Sequence, residues 1–215
     1  MTHDAKPLTL YYSPFACSLA THIAAREAEL PLELRRVELR SKRCDDGRSL
    51  FELNPMGQVP TLVLPDGRVL TENLSILLWV AEHAGAGTLA PSDEAGRYEL
   101  VRTLSLLTTE LHKKVLAPIF HPTAPDAVRE FARSEAQRPL AVLDERLTAR
   151  PWLLGDAYTV ADCYLTWVLN LLPHAQLPRE RWPHLDAYFE RARKRPLAKQ
   201  VFELERAAHA LPFAA

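Results

Sequence analysis

Leu8-Thr9-Leu10-Tyr11-Tyr12-Ser13-Pro14-Phe15-Ala16-Cys17-Ser18-Leu19-Ala20 is the stretch that sets the fold class of this chain. Leu8 to Tyr12 is a strand by its β-formers, and Ser13-Pro14 stops it. From Cys17 to about Leu30, Leu19, Ile23 and Ala24 share one helical face, and Pro31 ends the run. Leu32 to Leu39 then alternates apolar and charged residues, as a half-buried strand does. Strand, helix and strand in this order open an α/β unit.

Downstream, Thr61-Leu62-Val63-Leu64 and Arg68-Val69-Leu70 flank Pro65-Asp66-Gly67, which predicts a hairpin around an Asp-Gly turn. Asn73 to His83 carries the apolar stripe Ile76, Leu77, Val80 and Ala81 of a helix. Ala84-Gly85-Ala86-Gly87 and Thr88-Leu89-Ala90-Pro91-Ser92 read as a linker, and beyond it strand patterns stop. Leu100, Leu104, Leu107, Leu111 and Val115 form one face of a long helix that Pro118 should end or kink. Val128, Phe131, Leu140, Leu143 and Leu147 mark a second helix, with Pro139 implying another kink or a break. Thr159-Val160-Ala161-Asp162 has the form of a helix cap with an acidic partner three residues on, just before the apolar run Cys163 to Leu172. Helices at about Trp182–Arg193 and Pro196–His209 follow. The expected organisation is α/β plus all-α: a small α/β domain over residues 1–85 and a helical bundle domain over 92–215.

Composition narrows the function. Hydrophobic residues make up 47% of the 215, and 26 Lys and Arg against 27 Asp and Glu leave a formal net charge of −1. That balance provides no electrostatic footprint for nucleic acid or an anionic membrane. Met1 to Pro7 lacks the basic segment and apolar run of a secretory signal. No stretch approaches the roughly 18 apolar residues of a membrane helix. A cytoplasmic protein without nucleic-acid or membrane partners is expected. Cys17, Cys44 and Cys163 are odd in number and lack CxxC spacing, so neither a disulfide framework nor a metal site is expected.

Four places carry candidate chemistry. Cys17 should begin the first helix, where unpaired backbone N–H groups and a partial positive charge favour a thiolate. Ser18 follows with a hydroxyl that can donate to that anion. The competing reading makes Cys17 a small buried hydrophobe. Val59-Pro60 sits at a strand entrance. A cis proline there frees the main chain of Val59 to bind an extended peptide, and a trans proline would merely begin the strand. Glu72-Asn73 lies at the mouth of a helix. Asn73 is a good cap, the free N–H groups of that turn suit a carboxylate, and Glu72 suits an ammonium. Together they would hold an amino-acid head group, or be an ordinary cap. His112-Lys113 lies within the long helix; His112 is either a structural or surface residue or a donor to a sulfur anion in the interdomain cleft.

These segments together resemble the soluble glutathione transferases, most closely the bacterial beta class. The resemblance runs in order through Tyr11 to Ala20, Asn54-Pro55-Met56-Gly57-Gln58-Val59-Pro60-Thr61-Leu62, Leu70-Thr71-Glu72-Asn73-Leu74-Ser75-Ile76, Thr109-Glu110-Leu111-His112-Lys113 and Tyr158-Thr159-Val160-Ala161-Asp162. It implies a thioredoxin-like N-terminal domain that binds glutathione and a helical domain that shapes the electrophile pocket. Cys17 would lie beside the glutathione sulfur, able to form a mixed disulfide with it, and His112 would be its partner. Val59 would pair with the cysteinyl part, with Pro60 cis. Gln58, Glu72 and Asn73 would hold the γ-glutamyl end, and Lys42 the glycine carboxylate, with Lys113 beside the site. Thr159 and Asp162 match a folding element, the family's N-capping box. Ser105 stands where the family has an asparagine, and Asn73 where it usually has Ser or Gly.

The implied activity is conjugation of glutathione, as co-substrate and with no other cofactor, to small hydrophobic electrophiles by a homodimer. Thiol-disulfide exchange through Cys17 is a further expectation. The alternatives are a glutaredoxin-like thiol transferase and a non-catalytic ligand carrier on the same fold.

Overall fold

In the computed structural model, which describes residues 6–85 and 89–213, the N-terminal alternation condenses around a central strand, β1 (Leu8–Tyr12). β1 runs parallel to β2 (Leu32–Arg36), with Leu10 opposite Leu34. It runs antiparallel to β3 (Thr61–Val63), which pairs with β4 (Val69–Thr71) in the order β2-β1-β3-β4. The parallel pair needs a crossover, supplied by α1 (Ser18–Glu27). The hairpin turns at Gly67, whose φ of +87° is open to glycine without strain. β1 is buried on both faces, with Tyr11 packed in a cluster with Val37, Cys44, Leu50 and Val59. β2 stops at Arg36, short of the expected Leu39. Val37 instead bridges to Cys44, and the Glu38 carboxylate accepts from the N–H groups of Arg40 and Ser41, bending the chain away.

Every residue of α1 from Ser18 to Ala25 is buried. It is enclosed by α2 (Asn73–His83) and by the last helix, α8 (Pro196–Ala210), both packed on it. That differs from the sequence reading, which carried the helical domain to residue 215. By contacts the chain divides into Met1–Gly85 with Pro196–Ala215, and Ala86–Arg195. The reading of the N-terminal residues against a signal sequence, and the linker at 86–88, lie outside the described residues.

In the helical unit, α3 (Glu94–Leu106) is capped by Asp93, which accepts from the Gly96 N–H at 2.9 Å. It passes into a wider, π-wound stretch, Leu107–Leu116, and then α4 (Ala117–Phe120). The predicted stripe Leu100, Leu104, Leu107, Leu111 and Val115 is buried throughout. Pro118 does not end the run. The winding changes upstream of it, where a carbonyl four residues back has no N–H to meet. α5 (Asp126–Arg146) passes Pro139 without a break, one of the two outcomes expected there. Its inward face is Ala132, Ala136, Leu140 and Leu143, whereas Val128 and Phe131 are exposed. The correction has a steric reason: small side chains let α5 lie close against the π-wound stretch it packs on. α6 (Val160–Leu171) is buried from Val160 to Leu169 behind the predicted Thr159–Asp162 capping box, and α7 (Pro183–Arg193) packs on it. No described helix is long and apolar enough to cross a membrane.

Candidate active site

The turn Ser13 to Cys17 reverses β1 into α1. Phe15 takes a φ of 59°, and the Ala16 N–H donates to the Ser13 carbonyl at 3.0 Å. Cys17 is therefore the cap residue of α1, half-buried, as the sequence implied. Its Sγ donates to the Val59 carbonyl at 3.1 Å. The Cys17 carbonyl accepts from Asn73 Nδ2 at 2.9 Å, and Asn73 Oδ1 accepts from Thr21 Oγ1 at 2.8 Å. Three separate chain segments are thus tied around one thiol.

Ser18 departs from its expected role. It is fully buried, donates through Oγ to the Ser13 carbonyl and accepts the Ser13 N–H, each at 3.2 Å. Its hydroxyl holds the turn and is not a donor to a thiolate. Ser18→Ala is accordingly expected to cost about 1–3 kcal/mol in denaturant unfolding, because it leaves a buried N–H unpaired.

The loop before β3 is organised by Asn54. Its Nδ2 donates to the Gln58 carbonyl at 2.9 Å and its Oδ1 accepts the Met56 N–H at 3.0 Å. Gly57 has a φ of +58°, and a Cβ there would lie 2.6 Å from the ring of the exposed Phe51, which would have to swing aside. The loop leads into the cis Val59-Pro60 peptide, leaving the Gln58 side chain exposed and Val59 buried.

At α2 the expectation for Asn73 is corrected. The cap position is Glu72, with φ 65° and its side chain exposed, and Asn73 is the first helical residue. The positive φ at Glu72, a conformation costing about 1–3 kcal/mol in a non-glycine residue, accompanies an Asn73 amide turned inward onto α1. Hydrogen bonds therefore join Cys17, Val59 and Asn73, with Gln58, Pro60 and Glu72 adjoining them along the chain. Lys42 lies apart in the hydrogen-bond pattern: its main chain, at φ 60°, bonds Glu38 and Leu50.

Sequence reasoning missed a further support of this turn. The Phe15 N–H donates to Glu205 Oε2 at 2.7 Å, and Glu205 Oε1 lies 2.9 Å from His22 Nδ1, both side chains being fully buried. Burial pushes the Glu205 carboxyl up, while His22 and the Phe15 N–H pull it down. The partners are far apart in sequence, and Glu205 sits in a charged helix with no local mark of burial.

In the helical unit, His112 lies in the π-wound stretch. Its Nδ1 is 2.7 Å from the Tyr164 hydroxyl, and its ring meets Trp167 edge-on at 4.6 Å. Burial, then the neighbouring Lys113 charge, pushes its pKa down from 6.5 to about 4. Lys113 is exposed, and Ser105 is half-buried with its carbonyl accepting from Thr109 Oγ1 at 3.0 Å. As pH falls, the unfolded chain protonates at residue 112 first, so stability present above pH 6.5 is lost toward pH 4. The native imidazole is expected to titrate near 4 by NMR; a midpoint near 6.5 would refute this burial argument.

Residues 12–83 match the glutathione S-transferase N-terminal domain, and residues 107–196 the C-terminal domain. The chain is 35% identical over 199 residues to glutathione S-transferase GstA of Escherichia coli O157:H7, covering 92% of this chain and 98% of that protein. The structure of a sphingomonad glutathione S-transferase complexed with glutathione superposes with a TM-score of 0.87 at 36% identity, covering 92% of this chain and 98% of that one. The bacterial beta class glutathione S-transferase of Sphingomonas chungbukensis gives a TM-score of 0.87 at 35% identity, with 92% and 98% covered. With both domains matched in order along the chain, it belongs to the glutathione S-transferase family.

Proposed function

We propose that this transferase binds glutathione across Cys17, Val59-Pro60 and Glu72-Asn73, and presents its thiolate to small hydrophobic electrophiles. The observation that carries the reading is Cys17 Sγ at the cap of α1, 3.1 Å from the Val59 carbonyl. A tripeptide laid along Val59 places its own sulfur in the same field, where unpaired helix N–H groups favour an anion. Lowering a thiol pKa by one unit takes about 1.4 kcal/mol, which one or two charge-assisted hydrogen bonds supply.

In this reading the exposed Glu72 carboxylate pairs with the γ-glutamyl ammonium, and Gln58 assists at that end. Lys42 reaches the glycine carboxylate. His112, Lys113 and Ser105 keep the roles that the resemblance implies for them, and Leu106, Thr109 and Phe120 are assigned to the electrophile pocket. With an aryl chloride, sulfur forms a bond to the ring carbon, the carbon–chlorine bond breaks and chloride leaves. The thiol proton goes to solvent. A homodimeric, cytoplasmic enzyme of detoxification, with glutathione as the co-substrate, completes the proposal.

A second activity is favoured by Cys17 itself. A partly exposed thiol at a helix start can attack a mixed disulfide, displacing the second thiolate as the new S–S bond forms. Cys44 and Cys163 are buried, and burial pushes the Cys44 thiol up to about 11, so neither is suited to resolve the product from within the chain. Free glutathione is the resolving thiol.

Cys17→Ala separates the two activities. The expected outcome is loss of disulfide exchange by at least a hundredfold, with conjugation of a chlorinated dinitrobenzene kept within about tenfold. Conjugation at background rate despite measurable glutathione binding would sink the transferase assignment of this site.

A further inference from the structure

The last turn of α8 touches the thiol turn through a side chain that no step of the chemistry uses. Glu205 and His209 stand four residues apart, on one face of α8. Glu205 accepts the Phe15 N–H at 2.7 Å, and the His209 ring meets the Phe15 ring edge-on, with centroids 5.8 Å apart at 68°. Both belong to the same unit as Cys17, which Met1–Gly85 and Pro196–Ala215 form together. Resting on the reading of Cys17 as the exchanging thiol, we propose that His209 is a positioning residue: its ring clamps Phe15, so that the turn into α1 keeps Cys17 at the helix start.

Phe15 needs such a clamp. Its φ of 59° is a left-handed conformation that a bulky residue keeps only where neighbours enforce it. Relaxation to a negative φ would swing the chain that follows. The Ala16 N–H would then leave the Ser13 carbonyl, 3.0 Å away, that closes the turn, and Cys17 is the next residue. The bond to Glu205 fixes one backbone atom of Phe15 only. An edge-on ring contact adds a second point, because the positive rim of one ring faces the negative face of the other and sets its direction. Backbone and ring of the strained residue are thus held from one helix.

The helix end that carries His209 is itself tied down. Arg36, at the end of β2 and opposite Tyr12, donates through Nη1 to the Leu211 carbonyl at 3.0 Å and to that of Pro212 at 3.5 Å. Its guanidinium lies 5.4 Å from the centroid of the Phe213 ring. A cation is favoured just past a helix, where the last carbonyls have no N–H to meet. The end of α8 is therefore anchored beside Tyr12, where the thiol turn leaves β1, and His209 drifts from Phe15 only by breaking those bonds. His209 is exposed, so its side chain is not there to fill the core. No proton or charge at His209 is called on; the ring acts by its shape.

The test compares His209→Ala, His209→Phe and Arg36→Ala in the full chain. The readouts are hydrogen exchange at the Phe15 amide, and kcat and KM for exchange with a glutathione mixed disulfide. Loss of one edge-on aromatic contact shifts an equilibrium by about two- to tenfold, and His209→Ala should speed Phe15 amide exchange by that factor. It should lower kcat by about threefold or more at an unchanged KM, since a slightly displaced reacting group loses rate steeply. Its urea midpoint should hardly move, as the residue is exposed. His209→Phe keeps an edge-on ring and should restore both readouts. Arg36→Ala should act in the same direction and add little to His209→Ala, because both work through one contact. Wild-type kcat in His209→Ala would overturn the positioning role. So would a loss in His209→Phe as deep as in His209→Ala, since the ring would then not be its cause. Disulfide exchange that survives Cys17→Ala would overturn the reading of Cys17 instead. The Phe15 amide then still decides on the clamp: faster exchange in His209→Ala upholds it, and unchanged exchange overturns it.

Discussion

Asp162→Ala is expected to destabilise the helical unit by about 3–5 kcal/mol, a large share of a typical total of about 5–15. The carboxylate has no exposure and accepts four hydrogen bonds. Oδ1 takes the Leu153 N–H and the Tyr188 hydroxyl, each at 2.9 Å. Oδ2 takes the Thr159 N–H at 2.7 Å and the Thr159 hydroxyl at 2.9 Å. Removing it strands two backbone donors that cannot rotate away, each costing about 1–3 kcal/mol when buried and unpaired. The loop from Leu153 to Thr159 and the start of α6 then lose their common anchor, and Tyr164, lower in the same helix, loses its footing. Asp162→Asn should fare little better. Whichever way its amide is turned, an NH2 group faces either the Leu153 or the Thr159 backbone N–H. Thr159→Ala removes only the cap hydroxyl and should cost about 1 kcal/mol. Urea unfolding of the three variants checks the ranking; an Asn variant as stable as the wild type would refute this account.

The parts of the fold that local chemistry controls were legible in the sequence. β1, the hairpin, α2 and the capping box follow from β-formers, an Asp-Gly turn, an apolar stripe and a Thr-x-x-Asp pattern, all signals confined to a few residues. Burial that depends on a distant partner was less so. Val128 and Phe131 look like core by hydrophobicity, yet α5 turns Ala132 and Ala136 inward, because what decides is the space left by the helix opposite. At the site, Cys17 and Val59 could each be placed from a helix start and a strand entrance, although their direct contact could not. Ser18 and Asn73 could not, because each has two hydrogen-bonding roles open to it, and only tertiary neighbours choose between them. The Ser13 carbonyl claims the one, and Thr21 with the Cys17 carbonyl claims the other.

Glu205→Ala is the second large effect, and it carries from α8 to the thiol. Glu205 and His22 share a site with no exposure, and His22 Nε2 already lacks a partner there. Taking away the carboxylate removes the partner of His22 Nδ1 and the acceptor of the Phe15 N–H, a loss of about 3–5 kcal/mol by the measure of broken buried pairs. Glu205→Gln tests whether shape or charge matters. Its amide oxygen can accept the Phe15 N–H and its NH2 can donate to His22 Nδ1, so the cost should be only about 1 kcal/mol. Because burial raises the Glu205 pKa above 4.5, the stability that its proton contributes is complete below pH 4.5 and is lost as pH rises through the folded value. Gln has no such window, so the advantage of wild type over Glu205→Gln should shrink as pH rises past 4.5. Unfolding in urea at several pH values measures both quantities, and a widening gap would reverse the sign argued here. The consequence for activity follows from geometry. Phe15 holds a φ of 59° two residues before Cys17, a conformation that neighbours must enforce. With its N–H released, the turn relaxes and the cap of α1 no longer fixes Sγ against the Val59 carbonyl. The Ala variant, assayed at a temperature where it remains folded, should therefore lose disulfide exchange at Cys17, whereas the Gln variant should keep it.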